Sequence, residues 1–169
     1  QLWRFDFSNS AVSAATYATA GIIGSISGIA SNDARRFYHT PDVSLVNQSG
    51  YTFLNIAMGS GFHAHPLNEV IDDRFYSFRS SDVFAPPASY VAKTESDIYD
   101  ATANLLGTEG DSLTEEDLAA EIAQFTAASG WLMDLERSGE KVLANSLTVN
   151  NQVIFTTYEP NNTSGSGCT

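Results

Sequence analysis

Apolar and polar side chains alternate in short runs along most of this chain, and a period of two predicts strands rather than helices. Leu2-Trp3-Arg4-Phe5-Asp6-Phe7 sets large apolar residues between charges, which predicts a half-buried strand closed by a turn at Ser8-Asn9-Ser10. Residues 11–34 are small and polar with scattered Ile, which predicts a long loop holding one short strand near 22–26. Residues 43–46 and 51–58 flank Asn47-Gln48-Ser49-Gly50, a hairpin signal. Residues 74–79 read as the next strand. After Pro86-Pro87 the texture changes, and residues 94–129 become helix-prone. Thr114 precedes Glu115, Glu116 and Asp117, acids where a helix dipole favours them. Leu118, Ile122 and Phe125 then form one apolar stripe, and Gly130 reads as the helix stop. Strands resume at 131–135, 141–144, 147–149 and 153–158, with Asn150-Asn151 as a second hairpin turn.

The expected class is therefore mainly β with a short α-helical insert at about 94–129. Four-stranded propeller blades take roughly 40–50 residues each, so 169 residues less the insert would hold about three. A closed ring needs at least four. Either the chain is another all-β arrangement or it is part of a propeller.

Composition narrows the function. Eight basic residues stand against twenty acidic, a net charge of −12. Nucleic-acid backbones call for clustered Lys and Arg, and the only adjacent basic pair is Arg35-Arg36. Nucleic acid is excluded as a partner, and no apolar run is long enough to span a membrane. Twenty Ser and fourteen Thr replace long charged side chains and suit strand surfaces and turns. Gln1 stands where a starting Met would, and Cys168 is the sole cysteine. Together they predict a fragment of a secreted protein, with Cys168 a free thiol or bridged to a partner elsewhere.

Few residues offer chemistry. Gly59-Ser60-Gly61-Phe62-His63-Ala64 fits a relaxed dinucleotide pattern, but Pro66 falls where its helix would run. His63 and His65 lie two apart, so on a strand both would face one side and could grip a metal. Candidates for a further ligand are His39, Asp72 and Asp73. The segment from Glu95 to Glu121 holds nine carboxylates and no Lys or Arg, yet lacks the spacing of a calcium loop, so a solvated face is the simpler reading. No catalytic or cofactor-binding residue is assigned.

Seven blocks in order carry a resemblance: Leu2-Trp3-Arg4-Phe5-Asp6; Arg36-Phe37-Tyr38 with Pro41-Asp42-Val43; Gly59-Ser60-Gly61 with His65-Pro66-Leu67; Asp73-Arg74-Phe75-Tyr76; Gly130-Trp131 with Leu135; Gly139-Glu140-Lys141-Val142; and Val153-Ile154-Phe155-Thr156-Thr157-Tyr158 with Pro160 and Cys168. The chain resembles the C-terminal β-propeller region of the PilC/PilY family, tip-associated proteins of bacterial type IV pili. The resemblance implies a quinoprotein-like propeller without that fold's cofactor chemistry. It also implies an extracellular protein at the pilus tip or outer-membrane surface that meets minor pilins and a host or abiotic surface. Such a protein supports pilus assembly, adhesion and twitching motility and is no enzyme. Family members often carry a calcium loop upstream of the block matching residues 2–6, so calcium falls on no residue here. His63 stands where the family commonly has Arg, and Arg79-Ser80 where an Asp is expected. Trp3, Phe5, Phe75, Tyr76, Trp131 and Phe155 are expected to pack between blades. The alternatives are a metal-dependent propeller enzyme using His63 and His65, and a carbohydrate-binding module using exposed aromatics.

Overall fold

A computed structural model describes residues 1–10, 12–48, 50–107, 110 and 113–160. Cys168, Glu109 and Asp111 lie outside the described residues. The fold is mainly β, as the alternation predicts, and its sheets are open.

The central sheet has five strands in the order β3-β4-β5-β7-β6. Here β3 is Asp42–Gln48, β4 Tyr51–Gly59, β5 Arg74–Ser80, β6 Tyr99–Asp100 and β7 Gly130–Asp134. Neighbours are antiparallel except β6 and β7, which run parallel. The β3–β4 hairpin closes with Gln48 opposite Tyr51, and Gly50 takes the positive φ of 85° that the tight turn needs.

Strict alternation gives this sheet two buried faces. On one face Ile56, Met58, Tyr76, Phe78 and Leu132 pack with Ile26 and Ile98, and Leu2, Ile23 and Phe37 close over them. On the other, Ala57, Phe75 and Val142 pack with Trp131, Leu135, Val153 and Phe155. Phe75 is fully buried, and its ring lies 3.9 Å from that of Phe155 at 11°. Each such side chain contributes about 1.5–3 kcal/mol by leaving water.

Three two-stranded sheets flank the centre. The first pairs β1 (Leu2–Phe7) with β2 (Ala18–Gly24) antiparallel, with a short helix α1 (Ala14–Tyr17) between them. The second pairs β8 (Lys141–Val142) with β11 (Thr157–Tyr158), and the third pairs β9 (Leu147–Val149) with β10 (Gln152–Ile154). In the β9–β10 turn Asn150 and Asn151 both take positive φ, the left-handed conformation that Asn tolerates better than most residues.

Three sequence expectations shift. The strand expected near 22–26 begins earlier, at Ala18, because it follows the length of β1 rather than its own sparse Ile residues. The helical insert shrinks to α2 (Glu115–Ala127), capped by Thr114, whose hydroxyl accepts from the Asp117 amide. A 3-10 turn at Glu95–Asp97 and β6 fill the earlier part, and β6 joins the central sheet. Gly130 is not a helix stop. It opens β7 at φ 151°, where a Cβ would collide with the Ser77 carbonyl, so glycine lets β5 and β7 meet.

The aromatic residues divide. Phe75 and Tyr76 are buried, and Trp131 and Phe155 are half-buried against the core, but Trp3 and Phe5 project into solvent. The stripe on α2 is likewise loose: Leu118 and Ile122 are exposed, and the helix is held instead through Phe125. Arg79 lies 4.1 Å over the Phe125 ring and donates to the Phe125 carbonyl at 3.1 Å.

Candidate functional site

The polar side chains that sequence reasoning singled out fall into two groups, one shut inside the fold and one at its surface. The buried group forms where β4 ends, β5 begins and β8 crosses. Gly59-Ser60-Gly61 leaves the sheet here without starting a helix, so no dinucleotide cradle forms. A Cβ on Gly59 would strike the Val142 side chain, and one on Gly61 the Val142 carbonyl. Two glycines therefore admit β8, whose Val142 amide donates to the Ser60 carbonyl at 2.9 Å.

Ser60 sits at the centre. Its hydroxyl donates to Asp73 Oδ1 at 2.6 Å and accepts from the Arg74 amide at 2.9 Å. Asp73 is 1% exposed, and its Oδ2 has no hydrogen-bond partner. Burial pushes its pKa up from the usual carboxylate range, against the pull of Ser60, Lys141 and Arg35. Lys141, also 1% exposed, donates to three carbonyls: Pro66 at 2.9 Å, Asn68 at 2.8 Å and Gly139 at 2.5 Å. Burial lowers its pKa despite nearby Asp73 and Glu69.

An ionic chain continues from this unit. Arg35 pairs with Asp33 at 2.5 Å and with Glu95 Oε1 at 3.0 Å, and its Nε donates to the Asp72 carbonyl at 2.7 Å. Glu95 Oε2 meets Arg74 at 2.5 Å, and Arg74 turns its Nε to Asp134. Tyr76 completes the ring by donating its hydroxyl to Glu95 Oε1 at 2.5 Å. Burial would raise Glu95, but Tyr76, Arg74 and Arg35 outweigh it and hold the carboxyl below its ordinary value. Burial and the Glu95 bond push the Tyr76 hydroxyl up.

Ser, Asp and Lys side by side are the raw material of nucleophilic catalysis, but these are committed inward. The Ser60 hydrogen belongs to Asp73, and all three Lys141 donors belong to backbone carbonyls. The unit ties together loops from four parts of the chain and offers no reacting atom to solvent.

The histidines lie elsewhere. His63 and His65 are both exposed and diverge: His65 packs edge-on against Phe62 at 4.6 Å, while His63 meets Tyr38 at 6.0 Å and His39 at 5.6 Å. Of the other proposed ligands, His39 therefore lies beside His63, but the two carboxylates are engaged elsewhere. Asp72 accepts from Asn32 at 2.8 Å, and Asp73 is the partner of Ser60. Among the described residues no group of three or more His, Cys, Asp or Glu side chains is placed to hold a metal ion.

Four further carboxylates, Asp97, Asp100, Glu121 and Glu136, line an open cleft of about 850 Å³ beside α2, together with Lys93. Tyr99 donates to Glu121 at 2.8 Å there, and desolvation with that bond pushes its hydroxyl up to about 12.

Sequence reasoning missed Arg35, Glu95 and Lys141. The available signal was scarcity: with eight basic residues in the chain, each base in a strand-rich stretch asks for a specific partner. Among the described residues no helix is long and apolar enough to cross a membrane. Compared with family models, curated proteins and solved structures, the chain finds no match.

Proposed function

We propose that this chain is a section of a quinoprotein-like β-propeller from a PilC/PilY-type protein, acting without catalysis at the tip of a type IV pilus. In that role it is extracellular, meets minor pilins, and supports pilus assembly, surface adhesion and twitching motility. One observation carries the reading. Three of the blocks behind the resemblance, Gly59-Ser60-Gly61, Asp73-Arg74-Phe75-Tyr76 and Gly139-Glu140-Lys141-Val142, are up to 80 residues apart and converge on one buried unit. Residues that recur as a pattern for a structural reason are expected to meet in this way. The inward commitment of Ser60, Asp73 and Lys141 favours a scaffold over an enzyme.

The test is disruption of the gene in its bacterium, with surface pili counted and twitching zones measured. Loss of both, restored by the intact gene, supports the reading; unchanged piliation overturns it. A second reading has its own observation. Trp3, Phe5, Phe7 and Tyr17 form an exposed aromatic row, and sugars stack on such rings. Titration with soluble oligosaccharides, followed by Trp3 fluorescence, separates the two, since glycan binding lost in Trp3→Ala would favour a carbohydrate module.

A further inference from the structure

Strand β1 is built the wrong way round for a monomer. Its alternation is clean, but Arg4 and Asp6 face the body of the protein while Trp3, Phe5 and Phe7 face out. The inward pair is well housed: Arg4 and Asp6 bond at 2.6 Å, Arg4 reaches Ser80 at 3.1 Å, and Tyr90 donates to Asp6 at 2.7 Å. The outward rings line up, with Trp3 stacked 6.3 Å from Phe5 and Phe7 set 5.8 Å from Tyr17. These four residues are 51–66% exposed. At 150–250 Å² per ring they leave roughly 350–570 Å² of aromatic surface uncovered, in the range of the largest apolar patch on a typical monomer, which is often a functional one.

The outer backbone groups of Trp3, Phe5 and Phe7 also lack a strand partner among the described residues. Ser8 donates its amide to the Tyr17 carbonyl at 2.8 Å. In antiparallel pairing every second residue bonds to the neighbour. The register then assigns Asp6 opposite Thr19 and Arg4 opposite Gly21 as the bonded pairs. The N–H and C=O groups of Trp3, Phe5 and Phe7 therefore point away from β2, and among the described residues β1 pairs only with β2. An edge strand with neither charge nor proline on its outer groups is a template for another strand.

We propose that the occupant is a second copy of this chain, with β1 pairing antiparallel to β1 about a two-fold axis at Phe5. Charge selects the partner and the register. Centred on Phe5, Trp3 lies opposite Phe7, and Arg4 of each copy lies opposite Asp6 of the other. Centring on Arg4 or on Asp6 would set like charges face to face, which destabilises a cross-strand pair. The outward groups of Trp3, Phe5 and Phe7 then form six interchain hydrogen bonds and join the two ribbons into one four-stranded sheet. Such an interface is isologous, as a two-fold axis requires. The contact also avoids self-repulsion locally: residues 1–24 carry only Arg4 and Asp6, a neutral strip on a protein of charge −12. The inference stands apart from the pilus reading and does not need it.

Sedimentation of the chain across a concentration series tests it, together with residue-resolved hydrogen exchange. Mass should double from 18.2 kDa as concentration rises, and the amides of Trp3, Phe5 and Phe7 should become protected while those of Arg4 and Asp6 do not change. Arg4→Asp and Asp6→Arg should each be monomeric alone and dimeric when mixed, because the mixture restores opposite charges at every facing pair. A chain that remains monomeric at millimolar concentration overturns the proposal and leaves the edge to a strand of another protein. So does a dimer in which those three amides exchange as in the monomer, or a mixture of folded variants that stays monomeric. If either variant fails to fold, the exchange pattern of the unaltered chain decides.

Discussion

Glu95 is the residue on which the interior charges depend, and Glu95→Gln is the sharpest way to ask how much they contribute. The substitution keeps size and shape and removes one negative charge from between Arg35, Arg74 and Tyr76. Breaking a buried pair by deleting one partner costs about 3–5 kcal/mol. Two facts reduce that figure. The Glu95 side chain is 30% exposed, and Arg35 keeps Asp33 while Arg74 keeps Asp134. A loss of about 2 kcal/mol is expected, or about 4–8 °C in Tm for a chain of this size. Urea unfolding followed by tryptophan fluorescence, repeated from pH 7 to pH 3, gives both magnitude and sign. Because folding holds the Glu95 carboxyl below its ordinary value near 4.5, its contribution is full above that pH. It is lost as pH falls through the lowered value. The gap between the chain and its Gln variant should therefore be widest at neutral pH and close in acid. A variant within about 0.5 kcal/mol of the original at pH 7, or a gap that widens in acid, would refute the reasoning.

The neighbouring carboxylate behaves in the opposite sense. Folding raises Asp73, so its contribution is present below its ordinary pKa and lost as pH rises through the raised value. Asp73→Asn should accordingly gain on the original chain between pH 3 and pH 7, read from the same urea series; a loss over that range would contradict it. Lys141→Met would leave the Pro66, Asn68 and Gly139 carbonyls without their shared donor. It should cost about 3 kcal/mol or more, visible as a large drop in the urea midpoint, whereas a near-neutral result would show that water replaces the ammonium. Gly130→Ala must fit a Cβ against the Ser77 carbonyl at φ 151°. A loss of at least about 2 kcal/mol is expected, with faster exchange of the amides shared by β5 and β7.

Much of the fold was legible because strands announce themselves by alternation. β1, the β3–β4 hairpin, β5, β7 and the Asn150-Asn151 turn all carry the signal locally, and the structure places them where the pattern does. What failed was information that alternation does not hold. The pattern in β1 says which residues share a face but not which face turns inward, so the Trp3 and Phe5 rings were assigned to the core. β6 is two residues long, and its pairing with β7 is set by Ile98 and Tyr99 fitting the sheet, not by any local period. The candidate site fared worse for the same reason. His63 and His65 share a strand face only if they lie on a strand, and the structure puts them in a turn. Lys141 entered only as part of the Gly139-Glu140-Lys141-Val142 block, since nothing near it in sequence reveals that it lands on carbonyls some 75 residues earlier.

That last contact bears on the order in which the chain can fold. The loop after β4 is finished only when Lys141 arrives to bond its carbonyls and Val142 to bond Ser60. At 5–20 residues per second, the 67 residues from Phe75 to Val142 take roughly 3–13 s to synthesise. During that interval the central sheet lacks one of its covering layers, and Phe75 stands open to water. Long-range closure of this kind slows folding and prolongs exposure to aggregation. A nascent chain of this protein should therefore remain protease-sensitive, and dependent on holding factors, until β8 has emerged.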